Sequence, residues 1–181
     1  MVAPVGRIFA AVPLPPEVRL ALEQTLEGLE IPGKLVPPEN WHLTLRFLGS
    51  VDEVAYERFL SWLTRAEERH AFPVHLDHIG AFPKPKRATV VWVGLDRGVE
   101  DLSTLNAVAE EAAQAAGLPG EERPYHPHLT LARVRPPQDV TGLTATELDL
   151  GWMVNRVVVF RSRLGRGGPR YEPLETFELL R

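Results

Sequence analysis

The tetrapeptide His-Leu-Thr-Leu occurs twice, at residues 42–45 and 128–131, so that His128 follows His42 by 86 positions in a chain of 181. Both copies lie in strand-like text, NWHLTLRFLG and YHPHLTLARV. Side chains alternate along a strand, which puts His42 and Thr44 on one face and Leu43 and Leu45 on the other. His128 and Thr130 are set against Leu129 and Leu131 in the same way. Each motif therefore predicts an apolar underside for a core and an outer face carrying one imidazole and one hydroxyl. A repeat at close to half the chain length points to a doubled unit. An approximate twofold axis between the units brings both polar faces to one cleft.

The surrounding text supports this organisation. RIFAAV at 7–12 predicts a buried strand, and 15–29 a helix opened by Pro15 and Pro16. After the strand at 41–49, Asp52 is an N-cap for a helix carrying Val54, Phe59, Leu60 and Leu63 at helical spacing. Residues 73–80 and 88–95 read as strands joined by the AFPKPKR loop, and 99–117 as a helix ended by Gly117. Strands are expected at 126–134, 152–164 and 171–180, with a short helix before the second of these. Residues 7–80 and 89–164 thus spell nearly the same order of elements. The expectation is a single domain over 1–181 built from two similar α+β lobes.

Cysteine is absent, which excludes disulfides, thiolate metal sites and thiol nucleophiles and fits a reducing, cytoplasmic setting. No apolar run approaches the ~20 residues of a membrane span. The net charge of -4 argues against a generally basic nucleic-acid binder. Yet residues 155–171 hold Arg156, Arg161, Arg163, Arg166 and Arg170 and no acid, a candidate phosphate-facing strip or simply a solvated face.

Two imidazoles flanking one cleft suit hydrolysis of a phosphodiester. In-line displacement at phosphorus needs a base beside the attacking water and an acid beside the leaving oxygen, on opposite sides. Histidine titrates near pH 6.5, so one copy can be neutral and the other protonated at working pH. The threonine hydroxyls would donate to the non-bridging oxygens, where charge accumulates. No metal or other cofactor is required. A three-imidazole metal site from His42, His126 and His128 is a competing arrangement, although it leaves both threonines without a task. A noncatalytic RNA-end binder using the same cleft is another.

The paired motifs resemble the signature tetrapeptides of the 2H phosphoesterase superfamily. Their flanks, with RIFAAVPLP, GAFPKPKRATVVWVGL and FRSRLGRGGPRYEPLETFEL, resemble its RNA 2',3'-cyclic phosphodiesterase branch, the 2'-5' RNA ligases or LigT-like proteins. The resemblance implies a bilobal, pseudo-twofold α+β fold, with antiparallel sheets lining a central cleft and helices outside. It implies metal-independent opening of RNA or nucleoside 2',3'-cyclic phosphates to 2'-phosphomonoesters, with weak ligation of RNA ends in reverse. By the same resemblance His42 is the proton donor to the leaving 3'-oxygen and His128 the acceptor that activates water; the residues alone do not orient the substrate. A different cyclic nucleotide as substrate remains open. The duplication supplies both sides of the site, so a monomer is expected.

Further candidates are weaker. Arg46 shares strand parity with His42 and Thr44, so it either reaches the cleft or makes a surface ion pair. Arg133 has the wrong parity unless a bulge intervenes, and is retained because the branch carries an arginine after its second motif. His126 has the parity to support His128 or a phosphate. Phe9, Phe82 and Tyr171 offer a base a stacking surface, if they are not core. Arg87 and the 156–170 arginines are candidates for an RNA tail. His70, His75 and His78 read as surface or strand-end residues.

Overall fold

A strand that buries one face must expose the other. The first motif does this, with Leu43 and Leu45 buried while His42 and Thr44 stay half-buried opposite them. The computed structural model describes residues 3–181. In its first half run β1 (Pro4–Pro13), α1 (Pro16–Leu26), β2 (Lys34–Leu35), β3 (His42–Asp52), α2 (Glu53–Leu63) and β4 (Phe72–Lys84). The second half holds β5 (Arg87–Arg97), α3 (Val99–Ala115), β6 (Leu129–Gln138), β7 (Leu150–Val154), β8 (Arg156–Gly165) and β9 (Gly168–Glu178).

Two antiparallel sheets result, in the orders β3-β1-β8-β9 and β2-β6-β5-β4-β7. The β3–β1 pair in one corresponds to β6–β5 in the other. The next strand in each sheet comes from the opposite half of the chain: β8 lies beside β1, and β4 beside β5. Each lobe is therefore a sheet that takes strands from both halves of the chain. Consecutive strands often pair, as β4–β5 and β8–β9 do here, but the order of elements does not fix the pairing.

The helices cover the apolar faces. Asp52 caps α2 by accepting from the Ala55 N–H at 2.8 Å, and α2 buries Phe59 and Leu63 while packing along α3. Leu102, Leu105, Ala109 and Ala112 of α3 are buried in the same core. The first helix stops at Leu26, short of the expected 29, because Gly28 turns the chain at φ 83°. Among the described residues no helix is long and apolar enough to cross a membrane.

Two strand expectations change. The stretch 152–164 is two strands in different sheets, separated at Asn155, where the polar pair Asn155-Arg156 interrupts the apolar alternation. The strand expected from 126 begins at Leu129, because Pro127 has no N–H to give a ladder. The short helix expected before β7 is one 3₁₀ turn, Thr141–Ala145.

On β5, Trp92 pairs with Thr130 of β6 and with Gly80 of β4, and its indole lies across Gly80, leaving no room for a Cβ. Gly80→Ala is expected to push this ring towards the second motif and to cost about 1–3 kcal/mol by overpacking, read as a lower urea midpoint at unchanged slope.

Candidate active site

Each motif histidine is held by the same local bond. His42 Nδ1 donates to the backbone carbonyl of Asn40 at 2.7 Å, and His128 Nδ1 donates to that of His126 at 2.7 Å. A carbonyl only accepts, so both rings carry hydrogen on Nδ1 and leave Nε2 for chemistry. In the neutral His42 ring, Nε2 accepts from the Thr44 hydroxyl at 2.7 Å. Phe9 and Tyr171 flank this ring, with centroids at 5.0 and 5.4 Å, and Phe82 meets His128 edge-on at 5.2 Å.

His42, Thr44, His128 and Thr130 line one cavity of about 240 Å³. Arg133 and Tyr171 line it too, with Lys34 beside Arg133 across the β2–β6 pair. Leu35, Val36, Pro37 and Phe47 give it apolar walls, and Gly167, Gly168 and Pro169 of the β8–β9 hairpin close one side. Tyr125 crosses between the motif strands, donating its hydroxyl to the Thr44 carbonyl at 2.8 Å.

Both histidines favour the neutral form. Burial lowers His42 to about 4, opposed by the Asn40 carbonyl and reinforced by the His128 charge. Burial also lowers His128, against the pull of the His126 carbonyl, with the charges of His126 and Arg133 adding to the depression.

A bulge in each motif strand decides which later residues reach the cavity. Thr44 pairs with Ala11 and Arg46 with Ala10, leaving Leu45 extra; Thr130 pairs with Trp92 and Ala132 with Val91, leaving Leu131 extra. Each bulge reverses the side-chain parity beyond it. Arg46 is thereby turned out of the cleft. It pairs with Glu110 of α3 at 2.5 Å and donates to the Pro119 carbonyl at 2.7 Å. The cavity positions go instead to Phe47 and to Arg133, each five residues after its histidine.

The remaining candidates take other places. Phe9 is only 2% exposed, buried behind His42 and closed to a base. Phe82 packs against His126, His128 and Trp92 outside the cavity lining. The His126 ring is exposed beside Trp92 and Phe82, and its carbonyl rather than its ring supports His128. Arg87 is exposed at the β4–β5 hairpin, away from the cavity lining. Nor is the arginine strip continuous: Glu172, across the hairpin, takes Arg161 at 3.0 Å and Arg163 at 2.8 Å. Among the described residues no group of three His, Asp or Glu side chains is arranged to hold a metal ion. His75 lies between Asp96 and Asp149 at 2.6 and 2.7 Å, outside the cavity.

Residues not foreseen are Asn40, Phe47, Lys34 and the hairpin glycines. Asn40 stands two residues before His42, as His126 stands before His128, and that equal offset was the available signal.

The family model described as "LigT like Phosphoesterase" matches residues 12–92 and again 93–171. The RNA 2',3'-cyclic phosphodiesterase of Aeropyrum pernix is 35% identical, over 86% of this chain and 92% of that protein. That of Escherichia coli is 31% identical over 96% of each. Among solved structures, Escherichia coli LigT complexed with 3'-AMP superposes with a TM-score of 0.86 at 28% identity, covering 99% of this chain and 100% of that one. A Thermus thermophilus protein, TT0787, gives 0.78 at 32% identity, covering 95% and 97%.

The low His42 value carries a stability consequence. The unfolded chain takes up this proton near pH 6.5, the folded chain only near 4, so the unfolded state binds more protons between them. Stability is therefore lost as pH falls through that window. Unfolding titrations are expected to show the chain losing about 3 kcal/mol more between pH 7 and pH 4 than His42→Asn does.

Proposed function

The chain belongs to the LigT-like phosphoesterase family, and on that premise we propose that it opens 2',3'-cyclic phosphates on nucleosides or RNA ends to 2'-phosphomonoesters. The observation that carries this is the pair of imidazoles, each locked at Nδ1, lining a single cavity with a threonine beside each. Water attacks phosphorus while the His128 Nε2 takes its proton; the bond to the 3'-oxygen breaks and His42 Nε2 hands that oxygen a proton. The Thr44 and Thr130 hydroxyls donate to the non-bridging oxygens, joined by the Arg133 guanidinium as a fixed cation. Tyr171 and Phe47 flank the sugar and base. The acid and base roles follow the family resemblance. With a 5'-hydroxyl in place of water, the same groups join it to a 2',3'-cyclic end: the P–O5' bond forms, the bond to the 3'-oxygen breaks, and His42 again hands that oxygen a proton. One chain carries both motifs, so a monomer over 1–181, with its two repeats interlocked, suffices.

His42 is neutral in the empty cleft near pH 7, and an acid must be protonated. The cyclic phosphate is an anion, and an anion beside the ring favours the imidazolium. Substrate and proton therefore bind together.

Incubation with nucleoside 2',3'-cyclic phosphates in EDTA, with separation of the 2'- and 3'-products, tests the reaction. Turnover to the 2'-product alone is expected. A 3'-product, no turnover with any base, or loss of activity to the chelator would overturn it. His42→Ala and His128→Ala are each expected to lower kcat about 10²–10⁴-fold, and Thr44→Ala and Thr130→Ala less.

Binding of a nucleoside 2',3'-cyclic phosphate, a fixed monoanion, to the His128→Ala protein between pH 5 and 7 is expected to take up close to one proton and to weaken as pH rises. Calorimetry in buffers of different ionisation enthalpy measures this. Binding without proton uptake would remove His42 from the acid role.

A further inference from the structure

Asn40 and His126 hold corresponding places, each giving its backbone carbonyl to the motif histidine two residues on. Their side chains do different things. The His126 ring is exposed. Asn40 is 7% exposed and stands alone as the buried polar residue among those described. Its amide Nδ2 donates to the carbonyl of Pro169 at 2.9 Å, 129 residues away in sequence. Pro169 lines the cavity with Gly167 and Gly168, and Tyr171, two residues on, packs edge-on against His42. One residue thus holds the ring with its backbone and the cover above the ring with its side chain.

The second motif has no such cover. In the other sheet β7 takes the place of β9, and it pairs only with Phe72–Leu76 of β4. It ends short of Phe82, which lies beside His128. The equivalent of the β8–β9 hairpin is missing there.

We propose that Asn40 is a positioning residue: it clamps the β8–β9 hairpin over His42 and so makes two imidazoles that are equivalent in sequence unequal in chemistry. The proposal rests on the two-histidine reading above. The clamp joins a buried amide to a half-buried carbonyl, so losing the amide leaves the Pro169 carbonyl to find water and favours lifting the hairpin outwards. A lifted hairpin rehydrates His42. The ionisable groups facing that ring are Tyr171 from β9 and His128 just before β6, with Lys34 and Arg133 in the same cavity; Phe9 from β1 and Thr44 from β3 add none. Removing the clamp adds or removes no charge among them, so a change in His42 titration reports its solvation.

The test follows the imidazole signals of the substrate-free, full-length protein by NMR across pH. With Asn40→Ser and Asn40→Leu the His42 midpoint is expected to rise by about one pH unit or more towards 6.5, with His128 nearly unmoved. Asn40→Gln, which keeps an amide donor, is expected to stay nearer the parent value. The acid limb of kcat/KM should shift in the same direction as the His42 midpoint. Folded variants with an unmoved His42 midpoint, or equal shifts at both histidines, overturn the proposal. Failure of all three variants to fold overturns it too, by assigning Asn40 to the fold instead of the ring. The titration needs no substrate, so its outcome is separate from whether cyclic phosphates are turned over.

Discussion

The bond from each motif histidine to the carbonyl two residues earlier fixes more of this molecule than its length suggests. In a regular strand the carbonyl of residue i−2 points sideways into the ladder, out of reach of the ring at i. Here the chain arrives at both histidines from outside the sheet. Before His42 comes a 3₁₀ turn, Pro38–Asn40; before His128 stands Pro127, and β6 starts only at Leu129. Each histidine must sit at a strand's beginning, and a helix or a longer strand before it would forfeit the bond. The bond selects the tautomer, points Nε2 at the cavity, and partly offsets the cost of burying the ring.

Beyond each threonine, the bulges continue this arrangement. A bulge frees a carbonyl from the ladder, and a buried carbonyl needs another donor. The extra residue Leu45 finds Asn106 of α3, whose amide donates to its carbonyl at 2.7 Å; Leu131 finds the Val36 N–H at 2.8 Å. Both bulges are thus satisfied, by different partners in the two sheets. Their shared effect is to turn the fifth residue after each histidine inward, a phenyl ring in one case and a guanidinium in the other. The two halves give the cleft one apolar and one cationic wall from matching positions.

Much of this was legible in the sequence, up to specific limits. Strand alternation gave the faces of His42, Thr44, His128 and Thr130 correctly, because nothing interrupts the pleat within four residues. It failed at Arg46 for the same reason that it admitted Arg133. A bulge is one residue of slippage, and Leu45 looks like any strand leucine. Strand exchange was hidden because element order does not fix pairing, and the break at Asn155 was masked by the apolar residues on either side. The arginine strip appeared unpaired because Glu172 lies just past its end in sequence but across the hairpin in space. Asn40 was in view beside the motif, yet its partner Pro169 is distant in the chain, and no local pattern connects them.

The electrostatics of the cleft link these features to the proposed chemistry. Burial drives both imidazoles towards neutrality, and the Arg133 charge further opposes a proton on His128. In-line hydrolysis with one acid and one base requires an unequal pair, one ring charged and one not. An empty site that held this pair ready would bear a buried imidazolium without a counterion, a costly state in a low-dielectric cavity. The phosphate resolves the difficulty, because its charge offsets the fixed cations and stabilises one added proton. Which ring accepts that proton is then decided by local differences. The hairpin cover at His42, and the guanidinium nearer to His128, are the differences this fold provides.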